Sequence, residues 1–497
     1  MFAKILVANR GEIACRVIRA LKEMGIKSVA VYSEADAASL HVRLADEAVL
    51  LGPAEPALSY LDAGKIIAAA KETGAEAIHP GYGFLSENAD FADACQQAGI
   101  VFIGPPGSAI RALGRKTAGR RLMMQNNVPV IPGMERPSAD IGLLQKEAAR
   151  IGYPVLVKAA AGGGGKGMRV VASERELPEA ATAAGAEAKA AFGDGGIYLE
   201  KYLARPRHVE VQVLCDRHGN AIHLLERECS IQRRHQKIIE ETPSPALTPE
   251  LREKMGKAAV AAALSASYVN AGTVEFLLDS DGSFYFLEVN TRLQVEHPIT
   301  ELVTGVDLVR RQVEVAAGLP LDLRQEDIRG RGHAIECRIC GEDPENNFFP
   351  SPGKVLFVKE PAGPFIRNDS GIFTGAVVPV EYDPLLGKLI VWAEDRERAI
   401  SRMRRALADY AVLGITTIIP FLSDVLGSEA FRKGDTHTRF IEEHFGDWKQ
   451  AAPEQDLTAL LAYAADSLFP RAAKPAAGGG EGPAFPSPWQ SLGGFRL

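Results

Sequence analysis

From Glu288 to Glu296 the chain alternates strictly between charged or amide side chains and apolar or β-branched ones. Glu288, Asn290, Arg292, Gln294 and Glu296 are interleaved with Val289, Thr291, Leu293 and Val295. A period of two predicts an extended strand with the five polar groups on one face, whereas a helix would scatter them. Two carboxylates, two amides and a guanidinium on one line read as a catalytic floor rather than a solvated strand face. Just upstream, 272–279 and 284–289 are β-type runs separated by the turn signal Ser280-Asp281-Gly282-Ser283, which predicts a hairpin. With Asp279 opposite Phe284, Glu275 falls opposite Glu288. Facing carboxylates repel, and a divalent cation offsets that. Carboxylate ligands suit Mg²⁺ or Mn²⁺, particularly where phosphates complete the shell.

Elsewhere the pattern alternates between periods. Strand-like 5–7 and 28–32 flank helix-like 13–24, with further units at 65–78 and 89–103, which predicts a parallel α/β layer. A second strand–loop–strand signal runs from Pro154 to Val171. An apolar strand ends in Lys158, and then come Gly162, Gly163, Gly164, Gly165, Lys166 and Gly167. Glycines let backbone amides close on phosphate oxygens. Lys166 is followed by glycine, not Ser or Thr, so this is not a P-loop; a strand follows, so it is not a dinucleotide fingerprint. The strand-like run 221–225 leads into a cation-dense segment, 226–237. Residues 331–446 are rich in β signals and then helical at 396–410, and 472–483 has linker composition.

Composition narrows the classes. The 497 residues carry 56 Lys+Arg against 63 Asp+Glu, a net charge of −7, with no long basic stripe. That argues against nucleic acid. No run reaches membrane-span length. The N-terminus enters a strand at once, so no signal peptide is expected. Six scattered cysteines fit a reducing cytoplasm. Cys337 and Cys340 fall in a strand-like run with opposite facing and read as structural.

The motifs together resemble biotin carboxylase, a member of the ATP-grasp superfamily. They are 8–14 (Ala-Asn-Arg-Gly-Glu-Ile-Ala), 79–88 (His-Pro-Gly-Tyr-Gly-Phe-Leu-Ser-Glu-Asn), the glycine loop, 227–237, 290–298 and 342–353. The resemblance covers Lys4 to about Phe445. It implies an α/β and α+β fold in three parts. These are a Rossmann-like N-terminal domain (1–113), an ATP-grasp domain (114–330) with a mobile lid at about 130–203, and a β-rich C-terminal domain (331–446). A linker-like tail (447–497) follows. The tail end, 487–497, resembles the entry to the further domains of long acyl-CoA carboxylase α-subunits. The Met-Lys-Met motif of a biotinyl-lysine is absent from the chain, so biotin is expected on a separate carrier protein.

The resemblance also implies roles. Lys116, Lys158, the loop 162–167 and His208 would hold ATP phosphates. Glu200, Lys201 and Leu203 would contact the adenine, and Gln232 and His235 would lie near the ribose. Glu275, Glu288 and Asn290 would hold Mg²⁺ or Mn²⁺. Lys237, Arg292, Gln294 and the Val295 main chain would fix bicarbonate, and Glu296 would take its proton. Arg338 would stabilise a biotin enolate, with Tyr82 and Gly83 beside the ureido ring. Implied partners are a second copy of the chain in a homodimer, a biotin carboxyl carrier protein and a carboxyltransferase subunit. The acceptor expected from the tail is an acyl-CoA (acetyl-, propionyl- or methylcrotonyl-CoA); pyruvate or another 2-oxoacid is the alternative. A non-catalytic ATP-binding scaffold protein is the rival of a different class. Departures from the family pattern are Arg115 beside Lys116 and Gln125-Asn126-Asn127, which reads as a helix-end variation.

Overall fold

Strands β1 (Lys4–Val7), β2 (Lys27–Ser33), β3 (Glu47–Gly52), β4 (Ala77–His79) and β5 (Val101–Phe102) form a parallel sheet in the order β3-β2-β1-β4-β5. This is the expected α/β layer. Its strands are nearly continuous apolar runs because helices cover both faces. In this computed structural model the described residues are 1–114, 116–134, 136–159, 168–192, 195–234 and 236–450.

The next segment builds a small antiparallel sheet of β6 (Val155–Ala159), β7 (Arg169–Val171) and β8 (Ile197–Lys201), in the order β7-β6-β8. Val155, Val157 and Leu199 pack with Leu144 and Ala148 from the helix Ile141–Ile151 and with Ala181 and Ala184 from the helix Leu177–Phe192. The strand before and after the glycine loop is therefore as the sequence predicts; the loop itself, 160–167, lies outside the described residues. The helix Lys116–Gln125 ends where the helix-end reading of 125–127 places it, and Asn127 takes positive φ (56°).

The site rests on the largest sheet. It contains β9 (Arg207–Cys215), β10 (Ala221–Arg233), β11 (Gln236–Thr242), β12 (Asn270–Leu278), β13 (Phe284–Asn290) and β14 (His333–Cys340). The short strands β15 (Glu342–Asp343), β16 (Phe349–Pro350), β17 (Gly353–Lys354) and β18 (Phe357–Lys359) follow, and then β19 (Ile366–Ser370), β20 (Val377–Val378), β21 (Leu385–Ala393) and β22 (Ala411–Leu413). The order is β13-β12-β9-β10-β11-β14-β21-β19, antiparallel throughout, so one sheet continues across residue 331.

Alternation divides this sheet by chemistry. Val209, Val211, Val213, Val274 and Phe276 face one way and bury against Met255, Ala259 and Ala262 of the helix Pro249–Ser265. Thr248 caps that helix by accepting from Leu251 N, and Pro249 opens it. His208, Glu210 and Gln212 alternate with those valines and so face the other way, as does Glu275 beside Val274 and Phe276. The segment 226–233, singled out for its charge, continues β10 rather than forming an exposed loop, and Glu226, Arg227 and Glu228 are buried.

Candidate active site

Across β13, β12, β9 and β10, Glu288 faces Glu275, Glu275 faces Glu210, and Glu210 faces Arg227. The expected pairing of the two hairpin carboxylates is present, but by a different route. Leu278, not Asp279, lies opposite Phe284, and a bulge between Glu275 and Phe276 restores the register. The alternating floor needs correction. Only Glu288 and Asn290 belong to a strand; β13 stops at Asn290, and Arg292, Gln294 and Glu296 lie on the bend and turn that enter the helix His297–Thr304. Glu296 occupies the N-cap position of that helix and Pro298 its first turn, which is where proline is tolerated.

The turn brings Glu296 over the sheet. Lys237 Nζ on β11 donates to Glu296 Oε1 (2.7 Å), Glu275 Oε1 (2.8 Å) and Glu210 Oε2 (2.5 Å). Arg338 Nη2 on β14 donates to Glu296 Oε2 (3.1 Å), and its Nε to Glu240 Oε1 (2.6 Å). Arg227 donates to Glu210 (2.5 Å), Gln212 (2.7 Å), Thr273 (3.0 Å) and Thr300 (2.9 Å). Burial on its own would raise the Glu296 carboxyl; Lys237, Arg338 and Arg227 outweigh it and hold the group well below the usual range. Burial opposes Glu275 in the same way, and Lys237 with His208 holds it well below too. Burial dominates at Glu210, whose carboxyl is raised. At Lys237 the surrounding carboxylates Glu210, Glu275 and Glu296 overcome desolvation and push the ammonium well up.

The other expected residues are held by partners of their own. Arg292 is held by Glu87 Oε2 (3.0 Å), Gln294 Oε1 (2.9 Å) and Asn290 Oδ1 (3.2 Å). Gln294 Nε2 reaches Glu275 (3.4 Å). His208 Nε2 lies 3.1 Å from Glu275 Oε2, and its Nδ1 contacts Gln232 Nε2 at 2.5 Å. Lys158 and Glu200 pair across β6 and β8, and Arg120 Nη1 joins them at 3.4 Å from Glu200. The Lys201 side chain is tied to the carbonyls of Gly152 and Tyr153 (2.9 and 3.0 Å). Tyr82 has a buried hydroxyl with no hydrogen-bond partner, and its carbonyl accepts from Asn9; Gly83, with φ 71°, follows. The side chain of Lys116, residues 162–167 and His235 lie outside the described residues.

Four groups of the site were not read from the sequence: Glu210, Arg227, Glu240 and Glu87. Glu210 carried a usable signal, since 207–215 has the same polar–apolar alternation as the hairpin. Glu87 lies in the 79–88 motif, but nothing in the sequence ties it to Arg292, because its bonds to Thr291 N (2.8 Å) and Arg292 join distant segments.

The donor set fits a hard divalent cation. Glu275, Glu288 and the Asn290 amide offer oxygen atoms from neighbouring strand positions, and oxygen-only sets suit Mg²⁺ or Mn²⁺. Four buried carboxylates (Glu210, Glu240, Glu275, Glu296) share three cations (Arg227, Lys237, Arg338), so the cluster has an anionic excess that added positive charge would relieve.

Family models match almost the whole described chain. They are the biotin carboxylase N-terminal domain (residues 1–110), the carbamoyl-phosphate synthase L chain ATP binding domain (115–324) and the biotin carboxylase C-terminal domain (336–443). The chain belongs to the biotin carboxylase family. It is 52% identical over 447 residues to biotin carboxylase of Haemophilus influenzae, covering 90% of this chain and 99% of that one. A pyruvate carboxylase subunit of Methanothermobacter thermautotrophicus is 56% identical (89% and 90% covered). The mitochondrial methylcrotonoyl-CoA carboxylase α-subunit of Dictyostelium discoideum is 52% identical over 496 residues (99% and 70%). Among solved structures, the biotin carboxylase domain of a thermophilic 2-oxoglutarate carboxylase bound to bicarbonate superposes with TM-score 0.87 at 48% identity (91% and 100% covered). The protein is accordingly an ATP-grasp ligase with biotin carboxylase activity, and the expected fold class and family hold. The scaffold alternative falls with them. No helix among the described residues is long and apolar enough to cross a membrane.

Proposed function

We propose that the chain performs the first half-reaction of an acyl-CoA carboxylase, ATP-dependent carboxylation of biotin carried on a separate protein. The observation that carries the chemistry is Glu296, buried and bridged by Lys237 and Arg338. Bicarbonate takes the donors of Lys237, Arg292, Gln294 and the Val295 main chain. Arginine suits a planar oxyanion because its donors form a planar fork. As Lys237 turns to bicarbonate, Glu296 loses the largest of the contacts that hold its pKa down and becomes a better base. It takes the bicarbonate proton, and the freed oxygen attacks the ATP γ-phosphorus to give carboxyphosphate and ADP. Carboxyphosphate releases CO₂ and phosphate, phosphate takes the N1 proton of biotin, and N1 bonds to CO₂. Arg338 stabilises the enolate form of the ureido group, with Tyr82 and Gly83 beside it.

Lys116, Lys158, His208 and the loop 162–167, Lys166 included, hold the phosphates. Lys158 exchanges its Glu200 partner for them. Glu200, Lys201 and Leu203 border the adenine, and Gln232 and His235 the ribose. The amides of Lys201 and Tyr202 already donate to Pro132 O (2.7 Å) and Pro154 O (3.1 Å), which favours Leu203 N–H as the donor to the base. Glu275, Glu288 and Asn290 hold Mg²⁺ or Mn²⁺, which neutralises phosphate charge when bound. Closure of the 130–203 segment as a lid excludes water from carboxyphosphate.

The acyl-CoA assignment rests on the likeness of 487–497 to the entry to the further domains of acyl-CoA carboxylase α-subunits. The alignment with the Dictyostelium α-subunit runs through 99% of the chain, and a Rhizobium etli pyruvate carboxylase structure also covers 97% of it. Membership of a pyruvate or other 2-oxoacid carboxylase is the second reading, favoured by the 56% identity to the Methanothermobacter pyruvate carboxylase chain. We place the protein in the cytoplasm, as a homodimer with carrier and carboxyltransferase partners. Its described cysteines are all free, which agrees with a reducing compartment.

ADP release is the test. Mg·ATP with bicarbonate should give release that free biotin stimulates and that stops without bicarbonate. Folded, ATP-binding protein with no response to biotin or to a biotinylated carrier would end this reading. The carboxylated carrier is then offered to acyl-CoA and to pyruvate carboxyltransferases, and transfer only to pyruvate would reverse the acceptor assignment.

A further inference from the structure

Lys388 lies on β21 with no solvent exposure. A buried ammonium costs several kcal/mol unless paired, and a packing role alone would be met by methionine. The surroundings of this ammonium are specific. Nζ donates to the carbonyl of Val295 at 2.9 Å. It lies 3.2 Å from Glu12 Oε2, 3.9 Å from Asp369 Oδ2 and 5.7 Å from the centre of the Tyr82 ring. The Glu12 contact lacks hydrogen-bond geometry, since neither Glu12 oxygen has a hydrogen-bond partner. The directed bond is therefore the one to Val295, and Glu12 supplies charge.

Each neighbour belongs to a different part of the site. Val295 precedes Glu296 on the turn after β13. Tyr82 lies on the loop after β4. Arg338 faces Lys388 directly across β14 and β21. Like charges opposed in this way repel, which favours Arg338 extending towards Glu240 and Glu296 and Lys388 towards Glu12 and Val295. Glu12 comes from the first helix, Gly11–Glu23, whose opening turn packs on Gly371 just past β19. A Cβ on Gly371 would meet Glu12 N at 2.8 Å and the Gly11 carbonyl carbon at 2.9 Å. Glycine there lets the helix approach closely enough for Glu12 to reach Lys388.

We propose that Lys388, neutralised by Glu12, is a positioning residue that pins the Val295 carbonyl and so aligns the 294–296 turn, Glu296 included, with the Tyr82 loop and Arg338. This rests on the bicarbonate and base roles given above to Val295 and Glu296. Lys388 touches no reacting atom; it acts through the main chain.

The test uses the full chain and three variants, Lys388→Met, Glu12→Gln and the double variant. The readouts are turnover by ADP release, KM for bicarbonate, nucleotide Kd and thermal midpoint. Lys388→Met is expected to lower turnover at least ~30-fold and raise the bicarbonate KM severalfold, with nucleotide Kd within about twofold, as fits a misaligned catalytic group. In the double variant no unpaired charge is left between these partners, so the thermal midpoint lost in Lys388→Met should return. Turnover should not return, because the bond to Val295 is still missing. Recovery of turnover in the double variant would overturn the proposal, since Lys388 would then only neutralise Glu12. A double variant that fails to fold would overturn it too, making the pair a folding requirement. Wild-type protein in the same assay separates the two readings: if it releases no ADP with bicarbonate and biotin, the catalytic assignment itself is at fault.

Discussion

Glu240 and Glu241 are neighbours on β11, and each belongs to a different buried charge cluster. Glu241 accepts from His333 Nε2 (2.7 Å) and from Arg396 Nε and Nη2 (2.7 and 2.9 Å). Arg396 spends its remaining donors on the carbonyls of Phe431 and Arg432 and stacks on the Phe431 ring. Every group there has a fixed partner. On the other side, Lys237 alone serves three carboxylates, Glu240 Oε2 lacks a hydrogen-bond partner, and so do both oxygens of Glu336, which faces Glu240 across the strands. The pKa directions part accordingly. Burial would raise both groups, but His333 and Arg396 draw Glu241 down to about 2, while burial prevails at Glu240 and pushes it up to about 7 despite Arg338. A saturated cluster holds shape; an oversubscribed one is built to exchange partners with a ligand.

The largest break in this contrast should come from Glu296→Gln. The amide keeps the size of the side chain and removes the base. Turnover should fall by roughly 10²–10⁴-fold, with ATP still bound, as read by bicarbonate-dependent ADP release beside a nucleotide titration. Normal turnover in this variant would remove Glu296 from the base role.

Arg396→Met should do the reverse. It leaves Glu241 buried against His333 alone, and breaking such a pair from one side costs about 3–5 kcal/mol. The thermal midpoint should drop sharply while turnover per folded molecule stays near wild type. A loss of turnover without a loss of stability would mean that the saturated cluster is part of the site after all.

How far the sequence disclosed this contrast depends on the range of the contacts. The hairpin carboxylates were legible because two strands joined by a short turn have few registers open to them, and face alternation forgave a one-residue error that the bulge then compensated. The floor beyond Asn290 resembles strand because its polar spacing continues unbroken into a helix cap; Pro298 is the stop signal that marks the change. Glu210 was within reach, since β9 carries the same alternation. Lys388, Glu240 and Glu336 were not legible at all, and Glu12 only as a member of the 8–14 motif, since each looks like an ordinary charged residue until distant parts of the chain are laid side by side.

pH sharpens the comparison next. Glu241, with its folded pKa lowered from 4.5 to about 2, contributes stability that is present above pH 4.5 and lost as pH falls towards 2, up to about 3 kcal/mol. Glu240, raised to about 7, has the opposite sign. Its contribution is full below pH 4.5 and lost as pH rises through 7. Relative to wild type, Glu240→Gln should therefore gain stability between pH 4.5 and 7, and Glu241→Gln should lose it between pH 2 and 4.5, in denaturant midpoints measured across pH. Slopes of the same sign in both windows would contradict the assignment of the two clusters.

The smallest expected effect is a ligand-dependent one. If the oversubscribed cluster exchanges partners with a metal–nucleotide, then Mg·ADP at about a hundred times its Kd should stabilise the wild type by about 2.7 kcal/mol. Glu275→Gln removes one of the facing carboxylates and one claimant on Lys237. Without ligand, its thermal midpoint should fall below that of the wild type, because Lys237 and His208 hold the Glu275 carboxyl well below its usual range and the amide forfeits that stabilisation. With ADP alone the two proteins should shift alike. The extra shift caused by Mg²⁺ should be confined to the wild type, since the amide has lost the anionic oxygen that the cation prefers. A full Mg²⁺-dependent shift in Glu275→Gln would move the metal away from the hairpin and leave the excess carboxylates of this cluster without their proposed counter-ion.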